Sequence, residues 1–376
     1  MNKAGIYLHI PFCKTKCIYC DFYSVTKRED SISQFIDCLI MEIELNKKTL
    51  EGYTFDTIFF GGGTPSVLEP NQIERILNAL SKDYKLDQKM EITLECNPGE
   101  INYDKLKKFR ELGINRLSIG FQSFNEKLLK FLGRLHNAEQ SISTFNNARK
   151  AGFDNINIDL IYDIPKQKIK DWKNDLFLGT SLEPEHISAY SLTVEQNTVL
   201  NSMVKNKSVF MPSEKTDKRM FLDTIAYLEN KNYNHYEISN FSKNKKQCKH
   251  NLHYWRLEPY LAFGPGAHGF DGQKRWWNKK SLDYYLQNLK QNKLPIESEE
   301  ILSKKDSFNE TIMNGLRLIE GAKINKLNQY LDDNFENHIK PYMKKWPYIN
   351  NDGTNLTLNK KGLLFTDEII TDLFLV

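Results

Sequence analysis

The sequence predicts an α/β fold: an incomplete (βα)6 barrel followed by a small, mainly helical, winged-helix-like unit. Three observations lead there. Short β-rich runs alternate with amphipathic helical windows over the first two hundred residues, which is the signature of parallel strands joined by helices. The alternation weakens after about residue 200, and from about residue 300 a separate helical pattern takes over. These changes divide the chain into 1–200, the barrel, 201–298, an extension of it, and 299–376, a C-terminal domain.

The predicted strands are 6–10, 55–60, 91–96, 116–121, 157–162 and 186–192. After the first, Ile32, Phe35, Ile36, Leu39, Ile40 and Ile43 recur at helical spacing behind the cap candidates Asp30 and Ser31. Leu106, Phe109 and Leu112 repeat the pattern and end at Gly113, where a left-handed residue closes the helix. Further helices are expected over 213–230 and over 308–318, the latter closed by Gly321. Six such units leave a barrel open, with function at the C-terminal strand ends.

With 376 residues, 40% of them hydrophobic, the chain can bury a large core. Its net charge of +4 is spread among scattered lysines and acids, so nucleic acid is not an expected partner. The N-terminus lacks a signal-peptide pattern, and no apolar run approaches the roughly eighteen residues of a membrane span. A cytoplasmic location is expected. Three of the six cysteines fall within eight residues, which suits metal ligation better than a disulfide framework. Cys38 and Cys96 sit in apolar patterns as small buried residues.

The first strand runs into PFCKTKCIYCDF, placing Cys13, Cys17 and Cys20 at C-x3-C-x2-C spacing on the first βα loop. Three thiolates on a four-iron cluster leave one iron open to bind a substrate's amino and carboxylate groups. Spacing alone also allows a structural zinc site completed by a distant ligand. The second strand ends in FFGGGTPS, where Gly62, Gly63 and Thr64 let the backbone approach a ligand and present N–H groups. Glu95, Gln122 and Asp159 end later strands at the same mouth, with Arg134 just beyond the fourth. Together they offer donors and acceptors for ribose hydroxyls and an amino-acid head group, although each alone also suits a polar barrel rim.

IYLHIPFCKTKCIYCDF resembles the signature of the radical S-adenosylmethionine (SAM) superfamily. With GGGTPS, ITLECNPGE, LSIGFQSF, LGRLHN, NIDLIYDIPKQ, HISAYSLTVEQNT, YEISNF and CKHNLHYW, the resemblance narrows to its HemN/HemW family, which holds oxygen-independent coproporphyrinogen III dehydrogenases and heme chaperones. It covers nearly the whole chain. It implies a [4Fe–4S] cluster on Cys13, Cys17 and Cys20, and SAM contacts at Tyr7, Gly62, Gly63, Thr64, Glu95, Gln122, Arg134 and Asp159. One departure is Asp163, which stands where the family often has glycine.

Within the family, three features favour the chaperone over the dehydrogenase. Phe22 replaces the dehydrogenases' additional cysteine, position 13 for the first cluster cysteine leaves no N-terminal extension, and HNLHYW at 250–255 resembles the chaperones' HNxxYW heme motif. The resemblance implies heme at His250, Asn251, Tyr254 and Trp255, with Cys248 as a further ligand candidate and His268 a weaker one. An aromatic turn of this kind also serves plain packing. The implied partners are heme-accepting proteins, such as respiratory hemoproteins, and an electron donor to the cluster. Loose membrane association and a dimer are compatible with that role. SAM binding is expected whether or not the chain is an enzyme, and coproporphyrinogen oxidation is disfavoured by Phe22 and the short N-terminus.

Overall fold

In the computed structural model, residues 2–332 and 334–376 are described. Strands β1 (Lys3–Ile10), β2 (Thr54–Gly62), β3 (Leu86–Cys96), β4 (Arg116–Gln122), β5 (Ile156–Tyr162) and β6 (His186–Ser191) lie parallel and side by side in chain order. All six expected runs form strands, most extended by one to five residues. β2 and β4 are buried along almost their whole length, because helices cover one face and the barrel interior the other.

The covering helices are α1 (Ile32–Leu45), α2 (Pro70–Asp83), α3 (Tyr103–Glu111), α4 (Glu126–Leu132), α5 (Ala138–Lys150) and α6 (Ile169–Ser181). α1 buries Phe35, Ile36, Cys38, Leu39 and Ile43 against the sheet, as its spacing predicts. Its start differs from expectation in one detail: Ser31 occupies the N-cap position without a side-chain capping bond, since a 3-10 turn over Glu29–Ser31 leads into the helix. Gly113 follows α3 at φ +99°, the left-handed closure the sequence predicts.

The chain beyond residue 200 adds more sheet than its fading alternation suggests. It continues through α7 (Val199–Lys205), α8 (Glu214–Asn230), β7 (Asn234–Glu237), β8 (Asn240–Ser242), α9 (Lys249–Trp255), β9 (Tyr260–Phe263), β10 (His268–Phe270), β11 (Lys274–Asn278), α10 (Leu282–Leu289) and β12 (Ile296–Ile301). β8 and β7 extend the sheet antiparallel beyond β6, while β9 runs parallel to β1 and leads into β10, β11 and β12. One open twelve-stranded sheet results. Several of the added strands are only three to five residues long, too short to register as a period-two pattern.

The C-terminal segment folds as α11 (Lys304–Gly315), β13 (Ala322–Lys323), α12 (Ile324–Asn328), α13 (Phe335–Lys345), β14 (Ile349–Asn351), β15 (Asn355–Leu358) and α14 (Thr366–Leu373). Its strands form an antiparallel sheet in the order β13-β15-β14, which gives the helix–strand–helix–helix–hairpin order of a winged helix. α11 begins earlier than expected, behind a capping box of Ser303 and Asp306. It also ends earlier, at Gly315, where a Cβ would press to 2.5 Å from that of Ala322.

Candidate functional site

The loops after β1 and β2 are bolted together by backbone hydrogen bonds. Gly63 N–H donates to Ile10 O at 2.8 Å and Thr64 N–H to Phe12 O at 2.8 Å, while within the first loop Cys13 N–H donates to Val25 O at 2.9 Å. The approach is close enough that a Cβ on Gly63 would stand 2.7 Å from Phe12 O. Glycine at 63 is therefore required by the cysteine loop as well as by any ligand.

Cys13, Cys17 and Cys20 are free thiols on the wall of a cavity of about 430 Å³, shared with Gly62, Gly63, Thr64, Glu95, Gln122, Arg134 and Asp159. The Thr64 hydroxyl donates to Cys13 Sγ (3.5 Å) and Arg134 Nη1 to Cys17 Sγ (3.4 Å), so two sulfurs already face donors suited to thiolates. Burial pushes the Cys20 thiol up to about 11, so a metal bound there would have to displace a proton. Among the described residues, no three His, Cys, Asp or Glu side chains converge on one point as a single-ion site requires. Cys13, Cys17 and Cys20 line one cavity, and three thiolates are a donor set that suits an iron–sulfur cluster.

Arg134 is anchored by Nη2 to Asn97 Oδ1 (2.5 Å) and Gly120 O (3.0 Å), while its buried Nε has no partner. Gln122 sits at φ +66° where β4 slips register against β5, so its backbone bends at the cavity wall. Glu95 is pushed up to about 8, first by burial and then by the charge of Asp159, against the Gly62 N–H that bonds it. Asp163 adopts φ +61°, so the loop keeps the left-handed geometry a glycine would supply, which aspartate tolerates better than most residues.

Tyr7 lies deeper, in an adjoining cavity of about 340 Å³ that also reaches Phe22, Gly62, Glu95 and Asp159. The floor of that cavity comes from α9. Asn251 and Tyr254 line it, so part of HNLHYW faces the barrel interior from the N-terminal side of the strands. His250 is fully buried between β1 and β2, and both its ring nitrogens are engaged: Nδ1 with Thr57 Oγ1 and Nε2 with the Tyr254 hydroxyl, each at 2.8 Å. Burial holds its imidazole neutral, well below the usual range. Iron could reach His250 only after Tyr254 moved aside. Cys248 is likewise buried, its thiol pushed up to about 12 by burial, with Sγ 3.7 Å from Glu91. Trp255 turns the other way, against the cluster of Tyr236, Leu252 and Leu318 and toward the C-terminal unit. His268 is exposed on β10 and stacks on Trp277.

Sequence reasoning missed Asn97, Arg116, Ser118, Asn157, Ser188 and Tyr190, all lining these cavities. A signal was present. Arg116/Ser118, Asn157/Asp159 and Ser188/Tyr190 are polar pairs at i, i+2 on three strands, which puts each pair on one face.

Residues 7–178 match the Radical SAM superfamily. The heme chaperone HemW of Lactococcus lactis is 37% identical over 330 residues, covering 88% of this chain and 86% of the relative. That of Bacillus subtilis is 32% identical, covering 96% and 97%. Among solved structures, coproporphyrinogen III oxidase (HemN) of Escherichia coli, a radical SAM enzyme, superposes with a TM-score of 0.85 at 23% identity, over 99% of this chain and 90% of that one, and so shares the fold. The chain thus belongs to the HemN/HemW family of the radical SAM superfamily, in the group of the heme chaperone HemW.

Proposed function

We propose that this protein is a heme chaperone, which binds heme and passes it to acceptor hemoproteins such as respiratory enzymes. It does so on a barrel whose Cys13, Cys17 and Cys20 hold a [4Fe–4S] cluster, and whose Tyr7, Gly62, Gly63, Thr64, Glu95, Gln122, Arg134 and Asp159 hold SAM. The observation that carries the reading is that Asn251 and Tyr254 of HNLHYW share one cavity with Tyr7, Glu95 and Asp159. Kinship with HemW chaperones supplies the chemistry of the cargo.

When bound, the cluster supplies the single electron that cleaves SAM. The chain's own residues do the positioning. Thr64 and Arg134 donate to two of the cysteine sulfurs, and Glu95, held near neutrality, serves as donor or acceptor to a polar head group. Phe22, 63% exposed, borders both cavities in place of the dehydrogenases' further cysteine. Electrons come from a separate donor protein. No described helix is long and apolar enough to cross a membrane.

The test is an anaerobic heme titration of the cluster-loaded protein, followed at the Soret band. Saturation near one heme per chain, weakened roughly tenfold or more in Tyr254→Ala, is expected. Absence of saturable binding, or multiple-turnover conversion of coproporphyrinogen III, would overturn the proposal.

A further inference from the structure

Arg116, the first residue of β4, is 2% exposed and lines the floor of the 340 Å³ cavity. Among the described residues its guanidinium makes no hydrogen bond or ion pair, and its Nε is wholly buried without a partner. A permanent charge thus sits at the cavity wall with its Nε shut away from water and no acceptor on its guanidinium.

The acids nearby are otherwise engaged. Glu91 accepts from the His250 N–H (3.3 Å) and the Cys248 thiol (3.7 Å). Asp159 accepts from the Ser118 hydroxyl (3.2 Å) and the Asn157 amide (2.8 Å), and Glu95 from the Gly62 N–H. None of them supplies the planar, two-oxygen acceptor that a guanidinium fork matches.

We propose that Arg116 is the anchor for a ligand carboxylate, and specifically for a propionate of bound heme. The inference rests on the heme-chaperone reading. It goes beyond the HNLHYW segment by assigning part of the recognition to a strand residue that lines the same cavity. Arg116 faces the same space as Asn251 and Tyr254, so one ligand can touch all three. A propionate is the part of heme narrow enough to descend between the strands. The methionine carboxylate of SAM offers the same chemistry, but the cysteine loop that would hold it by an open iron lies at the other end of the strands.

The experiment compares heme with its dimethyl ester, in which both carboxylates are masked, on the cluster-loaded full chain. The wild type should bind heme roughly tenfold or more tightly than the ester, and Arg116→Gln should erase that preference by weakening heme alone. Arg116→Lys, which keeps the charge without the fork, should fall between them. Far-UV circular dichroism and thermal unfolding establish that the variants fold, and the wild-type comparison of acid with ester stands even where a variant does not. Heme and ester binding equally well to the wild type overturns the anchor while leaving the chaperone reading intact. Binding of neither overturns both. If Arg116→Gln keeps the preference for the free acid but weakens SAM binding, measured separately by equilibrium dialysis, the carboxylate is that of SAM and the propionate assignment falls.

Discussion

Glu42 shows how far a single buried charge shapes this fold. It is fully enclosed and accepts from the Gly264 N–H (2.8 Å), the Tyr285 hydroxyl (2.7 Å) and the Asn278 amide (2.5 Å), tying α1 to the turn after β9, to α10 and to β11. Burial lifts its carboxyl from 4.5 to about 7 despite those three donors. Between these values the folded protein holds a proton the unfolded chain has released, so stability from this group falls as pH rises from about 4.5 through about 7. Glu42→Gln should remove that part of the slope, and should cost about 1–3 kcal/mol because its NH2 would face donors. Urea unfolding of both proteins at about pH 5 and about pH 8 checks both effects, and an unchanged slope would contradict the assignment.

At the scale of elements, the site depends on two loops that cannot move independently. A methyl group on Gly63 would meet the backbone oxygens of Phe12 and Ile10 at 2.7 and 2.9 Å, and backbone atoms do not step aside cheaply. Gly63→Ala should fold at a cost of about 1–3 kcal/mol, but with the cysteine loop displaced. Iron and sulfide per chain after anaerobic reconstitution should fall well below wild type, and full retention would show that the loop is not held by this contact. α9 is the other decisive element. Its seven residues split their functions by helical direction: Asn251 and Tyr254 face the cavity, His250 and His253 are wedged beneath the strands, and Trp255 meets the C-terminal unit. His253 is lifted to about 9 because Asp56 and Glu258 outweigh the effect of burial, so α9 is pinned to β2 by a charged pair.

For the whole molecule, the C-terminal unit is joined to the part of the sheet that carries α9. Ile319 N–H donates to Tyr236 O (3.1 Å), Ile238 N–H to Arg317 O (2.9 Å), and Arg275 forms a two-pronged pair with Glu310. Leu318, 4% exposed, fills the space between Tyr236 and Leu252. Leu318→Ala should cost about 2–4 kcal/mol in chemical denaturation. It should also weaken heme binding, since the α9 backbone is braced from that side through Asn314 Nδ2 and Tyr254 O (3.4 Å). Destabilisation with unaltered heme affinity would separate the two parts.

What the sequence determined by itself were the features set by local chemistry. Six strands appear where β-rich runs stand, because β-branched and aromatic side chains fit a pleated, buried sheet, and C-x3-C-x2-C marks its loop because the residues that carry it are adjacent in the chain. Family membership was legible for the same reason. The tertiary structure alone decided where HNLHYW points. Nothing local distinguishes Tyr254, facing the cavity, from Trp255, facing the C-terminal unit, until α9 is seated under β1 and β2. It alone also revealed Arg116, whose place at a strand start looks ordinary until folding surrounds it with acids already engaged by other donors. Burial and partnership are properties of contacts made across the chain, and these arise only when distant segments meet.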